Sequence, residues 1–135
     1  MEIQRDTDTK TKILVIDDSE FDRRMIMSAL KSVCENLTCL ELSNGTSAVE
    51  TMRLENPSLT ILDIRMPGLS GWDVLDEIRA DASLRGSKVV IMSGTSSDLD
   101  VEKATTNGAL GFYKKPHTRL DYGVVASDLK ASFLN

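Results

Sequence analysis

Five short apolar runs punctuate the chain, each too short for a helix, and the stretches between them carry helical spacing. The runs are Ile13 to Ile16, Leu37 to Leu42, Leu59 to Leu62, Val89 to Met92 and Leu110 to Tyr113. Near-continuous rather than alternating apolar character marks strands covered on both faces, which in small domains means a parallel sheet crossed over by helices. The intervening segments fit that role. Ser19 is placed to cap a helix whose apolar positions Phe21, Met25, Ala29, Leu30 and Val33 share a face, with Asp22 in its first turn. Ala48, Val49 and Met52 mark a second helix that stops before Pro57, and Val74, Leu75 and Ile78 mark a third. A weakly apolar helix over 98–106 ends at Asn107-Gly108, and a last one covers 118–133. Right-handed crossovers leave few topologies, and the expected one is a doubly wound α/β fold with five parallel strands in the order 2-1-3-4-5 between five helices.

Length and composition agree with a single domain. At 135 residues there is room for one core. Leu, Ile, Val and Phe supply 36 of those residues, above the level of about 20% that ordering a chain requires. Residues 1–11 are polar and read as a flexible tail, leaving 12–135 as the domain. A net charge of −5 opposes direct binding to nucleic acid or an anionic membrane. No apolar run approaches the roughly 20 residues of a membrane span, and the first residues lack the pattern of a secretory signal, so a cytoplasmic protein is expected. Cys34 and Cys39, without a CxxC pair or a neighbouring His, read as two small buried thiols.

The chemistry collects at one edge. In an open α/β sheet the crevice lies beyond the carboxyl ends of the strands, where strand order reverses. Asp17 and Asp18 end the first strand, Asp63 the third and Ser93 the fourth, and Lys115 follows the fifth. One Asp after a strand is as readily a helix cap or turn residue, but five polar residues converging on one rim are a site. Three carboxylates a few ångströms apart repel by about 1 kcal/mol per pair in water and several times that inside a protein, so they call for a cation. Oxygen ligands without His or Cys suit a hard ion, Mg²⁺ or Mn²⁺.

These residues carry a resemblance. Ile13-Leu14-Val15-Ile16-Asp17-Asp18-Ser19, Asp63-Ile64-Arg65-Met66-Pro67-Gly68 and Lys115-Pro116 are similar, in order and spacing, to the opening acid pair, phosphoacceptor loop and closing lysine of the receiver domains of bacterial two-component response regulators. The likeness spans about residues 12 to 133 and implies the flavodoxin-like (CheY-like) fold. It implies that Asp63 accepts a phosphoryl group from a histidine kinase or phosphotransfer protein. Asp17, Asp18, Asp63 and the backbone carbonyl of Arg65 would hold Mg²⁺ or Mn²⁺, Ser93 would bond a phosphoryl oxygen, and Lys115 would pair with it. Ser93 and Phe112 would form the switch that carries the signal to a downstream protein target through the face made by the fourth helix, fifth strand and fifth helix. Arg65 and Thr95 would tune the loss of the phosphoryl group. The protein would then catalyse only its own phosphorylation and dephosphorylation.

Two departures are modest: Ser93 stands where Thr is commoner, and His117, here read as a solvated helix-start residue, where Phe is frequent. Trp72 reads as a packing residue. Three alternatives are a receiver fragment of a longer regulator with an output domain, a scaffold indifferent to phosphate, and an aspartyl-phosphate hydrolase of the haloacid dehalogenase type. The last requires a general acid two residues after the nucleophile, where this chain has Arg65.

Overall fold

A computed structural model describes residues 11–134. Five strands, β1 (Thr11–Ile16), β2 (Leu37–Leu42), β3 (Leu59–Leu62), β4 (Val89–Ser93) and β5 (Gly111–Lys114), alternate with five helices. The helices are α1 (Glu20–Val33), α2 (Ala48–Glu55), α3 (Gly71–Ala80), α4 (Asp98–Thr106) and α5 (Arg119–Phe133), and a single 3₁₀ turn, Ala82–Leu84, follows α3. All strand pairs are parallel and the order is β2-β1-β3-β4-β5, as the sequence predicts. No helix among the described residues is long and apolar enough to cross a membrane.

The two-residue period of the strands divides the core into two layers. Leu14, Ile16, Leu62, Val89 and Ile91 point to one face and pack with Ala48 and Met52 of α2, Val74, Leu75 and Ile78 of α3, and Ala104 of α4. Ile13, Val15, Leu59, Ile61, Val90 and Met92 point to the other and meet Ile26 and Leu30 of α1 and Tyr122, Ala126 and Leu129 of α5. Each fully buried Leu or Ile contributes about 1.5–3 kcal/mol. β3 is buried at all four positions, which is what a central strand under two helical layers requires.

Four of the five helices begin at a hydroxyl cap. Ser19, Ser70, Ser97 and Thr118 accept hydrogen bonds from the amides of Asp22, Asp73, Asp100 and Asp121, each worth about 1 kcal/mol. At α3 the cap is reciprocal, since the Asp73 carboxylate also accepts from the Ser70 amide. These caps fix where each strand-to-helix loop turns, and those loops carry the polar rim.

Four expectations shift. The apolar stripe of α1 facing the sheet is Ile26 and Leu30, while Phe21 is 68% exposed. Phe21 and Met25 sit on the neighbouring ridge, which lines a groove against Arg119, Tyr122 and Gly123 of α5. β5 begins one residue later than predicted, because the Leu110 amide bonds Val89 while its side chain turns to solvent. β1 begins at Thr11, whose amide bonds the Asn36 carbonyl at 3.0 Å, so Thr11 belongs to the sheet. The rest of the expected tail, residues 1–10, lies outside the described residues. Cys34 and Cys39 are free and only half-buried, with both thiols pushed up in pKa by burial.

Candidate functional site

The first acid pair is positioned by the end of β1. The Asp17 amide continues the ladder by bonding the Leu42 carbonyl at 3.1 Å, after which the chain leaves the sheet. Oδ1 of Asp17 accepts from the Ser19 amide at 2.9 Å, and its carbonyl accepts from Nη1 of Arg23 at 2.7 Å. Arg23 is itself held by Glu41 on β2 through a 2.7 Å ion pair. Asp17 is thereby buried with only Oδ2 left to turn inward, while Asp18 stays exposed.

Asp63 extends β3 by one residue, its amide bonding the Ile16 carbonyl at 2.9 Å, and it is 3% exposed. The following loop is tied down at once. The Ile64 carbonyl accepts from the amides of Met66 (3.2 Å) and Gly71 (2.9 Å). Gly71 has to be glycine, because a Cβ there would lie 2.2 Å from the Asp63 carbonyl oxygen and 2.6 Å from Cα of Ile64. Ser93 ends β4 fully buried, and the Thr95 amide lies 3.4 Å from its Oγ. The amide of Lys115 bonds the Ser93 carbonyl at 2.7 Å, which carries the lysine past the end of β5 and back over the rim.

Lys115 is the hub. Its Nζ lies 2.8 Å from Oδ2 of Asp17, 2.9 Å from Oδ2 of Asp22 and 3.4 Å from Oδ2 of Asp63. One carboxylate oxygen from each of Asp17, Asp18 and Asp63 falls within 4.8 Å of the others. Asp17, Asp18, Asp63, Ser93 and Lys115 therefore gather at one sheet edge, with the Arg65 backbone in the loop beside them. The Arg65 side chain goes elsewhere: it is exposed and its Nη2 lies 3.5 Å from Asp100 on α4. Phe112 is half-buried on the face packed by α2, α3 and α4, Thr95 is exposed, and His117 is exposed at the approach to α5.

The electrostatics are unbalanced. Burial and then the charge of Asp17 push the Asp63 carboxyl up from 3.8 to about 6, against the smaller opposing pull of Lys115 and the Arg65 amide. Burial alone would lower Lys115, yet Asp17, Asp22 and Asp63 together hold its ammonium above the usual lysine range. Above pH 6 the rim carries more negative charge than one ammonium neutralises. Three oxygen donors, two buried and one open to solvent, with that uncompensated charge, fit a hard divalent ion that keeps part of its water shell.

Asp22 is the member that sequence reading missed; it was seen only as a first-turn acid. Its position four residues before Ile26, at the head of the inward stripe of α1, is the signal that could have found it.

Comparison with known proteins shows the family and the fold. Residues 13–122 match the family described as response regulator receiver domain. Two-component response regulator ARR8 of Arabidopsis thaliana is 32% identical over 131 residues, which cover 82% of this chain and 57% of the relative. The chain thus spans little more than half of that protein. The chemotaxis protein CheY of Pseudomonas aeruginosa is 31% identical over 107 residues, covering 79% of this chain and 86% of the relative. Among solved structures, the Mn²⁺-bound form of response regulator Rcp1 superposes with a TM-score of 0.81 at 23% identity, over 93% of this chain and 95% of that one. At that identity the match shows a shared fold.

Proposed function

The chain belongs to the response regulator receiver domain family, and from that premise we propose that it is a phosphorylatable switch whose acceptor is Asp63. Receiver domains serve two-component signalling, so the donor is the phosphohistidine of a histidine kinase or phosphotransfer protein, and the readout is docking to a downstream protein. The observation that carries this reading is the Lys115 ammonium suspended between Asp17 and the buried Asp63, with Ser93 at the neighbouring strand end.

Phosphoryl transfer runs through a loose, in-line transition state with charge on three equatorial oxygens, so the protein's work is positioning and neutralisation. Asp63 is mostly ionised above pH 6 and serves as nucleophile. One of its carboxylate oxygens forms a bond to phosphorus as the phosphorus–nitrogen bond breaks. The electron pair returns to the imidazole nitrogen, which takes a proton. Lys115 meets one phosphoryl oxygen with its ammonium, and the Ser93 hydroxyl donates to another. A divalent ion, Mg²⁺ or Mn²⁺, held by Asp17, Asp18, Asp63 and the Arg65 carbonyl, supplies the remaining positive charge when bound.

The acyl phosphate is labile. Water attacks phosphorus in line, the bond to the Asp63 oxygen breaks, and carboxylate and inorganic phosphate are released, the proton passing to the phosphate. Thr95, exposed two residues beyond Ser93, and the Arg65 side chain, once it leaves Asp100, would tune the rate of that attack. While the group is present it adds nearly two negative charges and three acceptor oxygens, drawing Ser93 toward it and freeing space for Phe112 to turn inward. The face made by α4, β5 and α5 then changes shape.

Incubation with acetyl phosphate and Mg²⁺, followed by intact-mass measurement, tests the reading. The parent gains the mass of one phosphoryl group and Asp63→Asn gains none. An unchanged parent mass, or equal labelling of both, refutes it.

A further inference from the structure

Lys115 has three N–H donors and three carboxylate partners, but those partners are not equivalent. Asp17 and Asp63 belong to the oxygen cluster suited to a divalent ion; Asp22, at 2.9 Å from Nζ, does not. Once an ion claims Asp17 and Asp63, two of the three partners of the ammonium are drawn away, and a dication beside it repels it. A lysine on a flexible four-carbon stem would then swing to water, unless something outside the ion's reach retains it. Asp22 is placed to do so. Its amide is fixed to the Ser19 cap at 3.1 Å, its side chain is 26% exposed, and its charge acts on the buried Tyr122 of α5, whose hydroxyl it helps push up in pKa.

We propose that Asp22 is a positioning residue for phosphoryl transfer, retaining the Lys115 ammonium at the rim when Asp17 and Asp63 turn to the divalent ion. This rests on the reading of Asp63 as phosphoacceptor. Asp22 does not touch the transferred group. It acts through Lys115, leaving one N–H of the ammonium anchored and the others free for the incoming oxygens. A plain helix-start acid would instead serve only the α1 dipole, as exposed Glu20 does beside Arg24.

The test compares the full chain with Asp22→Asn, Lys115→Ala, the double variant and Glu20→Gln, all first shown to be folded by thermal unfolding. Phosphorylation by acetyl phosphate is followed by mass and Mg²⁺ affinity by calorimetry. Loss of one charge-assisted hydrogen bond predicts that Asp22→Asn slows phosphorylation about tenfold. It also predicts weaker Mg²⁺ binding, since the released ammonium falls back onto Asp17 and Asp63. In the Lys115→Ala background the same change has almost no further effect on either readout, and Glu20→Gln matches the parent throughout. A parental rate in Asp22→Asn, or an undiminished effect on top of Lys115→Ala, overturns the inference alone. A parent that takes no phosphoryl group overturns the switch itself and the inference with it.

Discussion

Replacing Asp63 by Asn is expected to stabilise the fold near neutral pH, although it removes the proposed phosphoacceptor. A carboxyl that titrates at about 6 when folded and near 3.8 when unfolded binds more protons in the folded state between those values. Its contribution is therefore fully present below about pH 4, declines as pH rises, and is lost above 6. At about 1.4 kcal/mol per pH unit, the ionised side chain costs the fold about 3 kcal/mol on the alkaline side. Burial is the main cause, the charge of Asp17 the second, and the 3.4 Å pairing with Lys115 is already included. An amide of the same shape carries no charge to desolvate. Against a total stability of 5–15 kcal/mol, a gain approaching 3 is large, raising the melting temperature on the order of 10 °C. Urea unfolding of parent and Asp63→Asn in EDTA at pH 4, 6 and 7.5 measures it. The gap opens between the first and last conditions, and Mg²⁺ narrows it by stabilising the parent alone. Equal stabilities at pH 7.5, or a gap identical at pH 4 and 7.5, refute the reasoning.

Other outcomes follow from contacts around the rim. Gly71→Ala pushes a methyl group to within 2.2 Å of the Asp63 carbonyl, so the unfolding free energy from urea titration falls by about 2–4 kcal/mol and phosphorylation falls with it. Lys115→Ala removes the ammonium that competes for Asp17 and Asp63, and calorimetry finds Mg²⁺ bound more tightly than by the parent even as phosphorylation slows. Arg79→Met strips the donors that bridge the Gly108 carbonyl (2.7 Å) and the Ser87 carbonyl (3.4 Å), costing about 1–3 kcal/mol in denaturation while leaving acetyl phosphate labelling unchanged. Arg65→Ala breaks only an exposed pair with Asp100, so stability moves by less than about 1 kcal/mol.

The rim was legible because a topological rule did the spatial work. Parallel strands deliver their carboxyl ends to one edge, so Asp17, Asp63, Ser93 and Lys115 could be assembled from strand boundaries without distances. Asp22 could not. Its spacing to Ile26 marks an inward position, but its meeting with Lys115 joins residues 93 positions apart, and no local pattern names that partner. The reading of Phe21 as part of the inward stripe failed for a related reason. Two adjacent ridges of α1 share the same period, and only packing tells that Ile26 and Leu30 face the sheet while Phe21 and Met25 face the α5 groove. The cation–π contact of Lys103 over Trp72, 4.5 Å from the ring centre, is likewise a product of assembled helices, and it gives the expected packing residue a second role in holding α4.

That hold on α4 is slight. The helix buries a single side chain, Ala104, and leaves Leu99 and Val101 in solvent, so its attachment rests on one methyl group and on peripheral contacts made by Lys103 and Asp100. The free energy needed to lift it is a small fraction of what holds β3 between two layers. Its amides will therefore trade hydrogen for deuterium long before those of the central strands. The helix whose Asp100 meets Arg65 of the loop after β3 is thus one this architecture spends little to keep still.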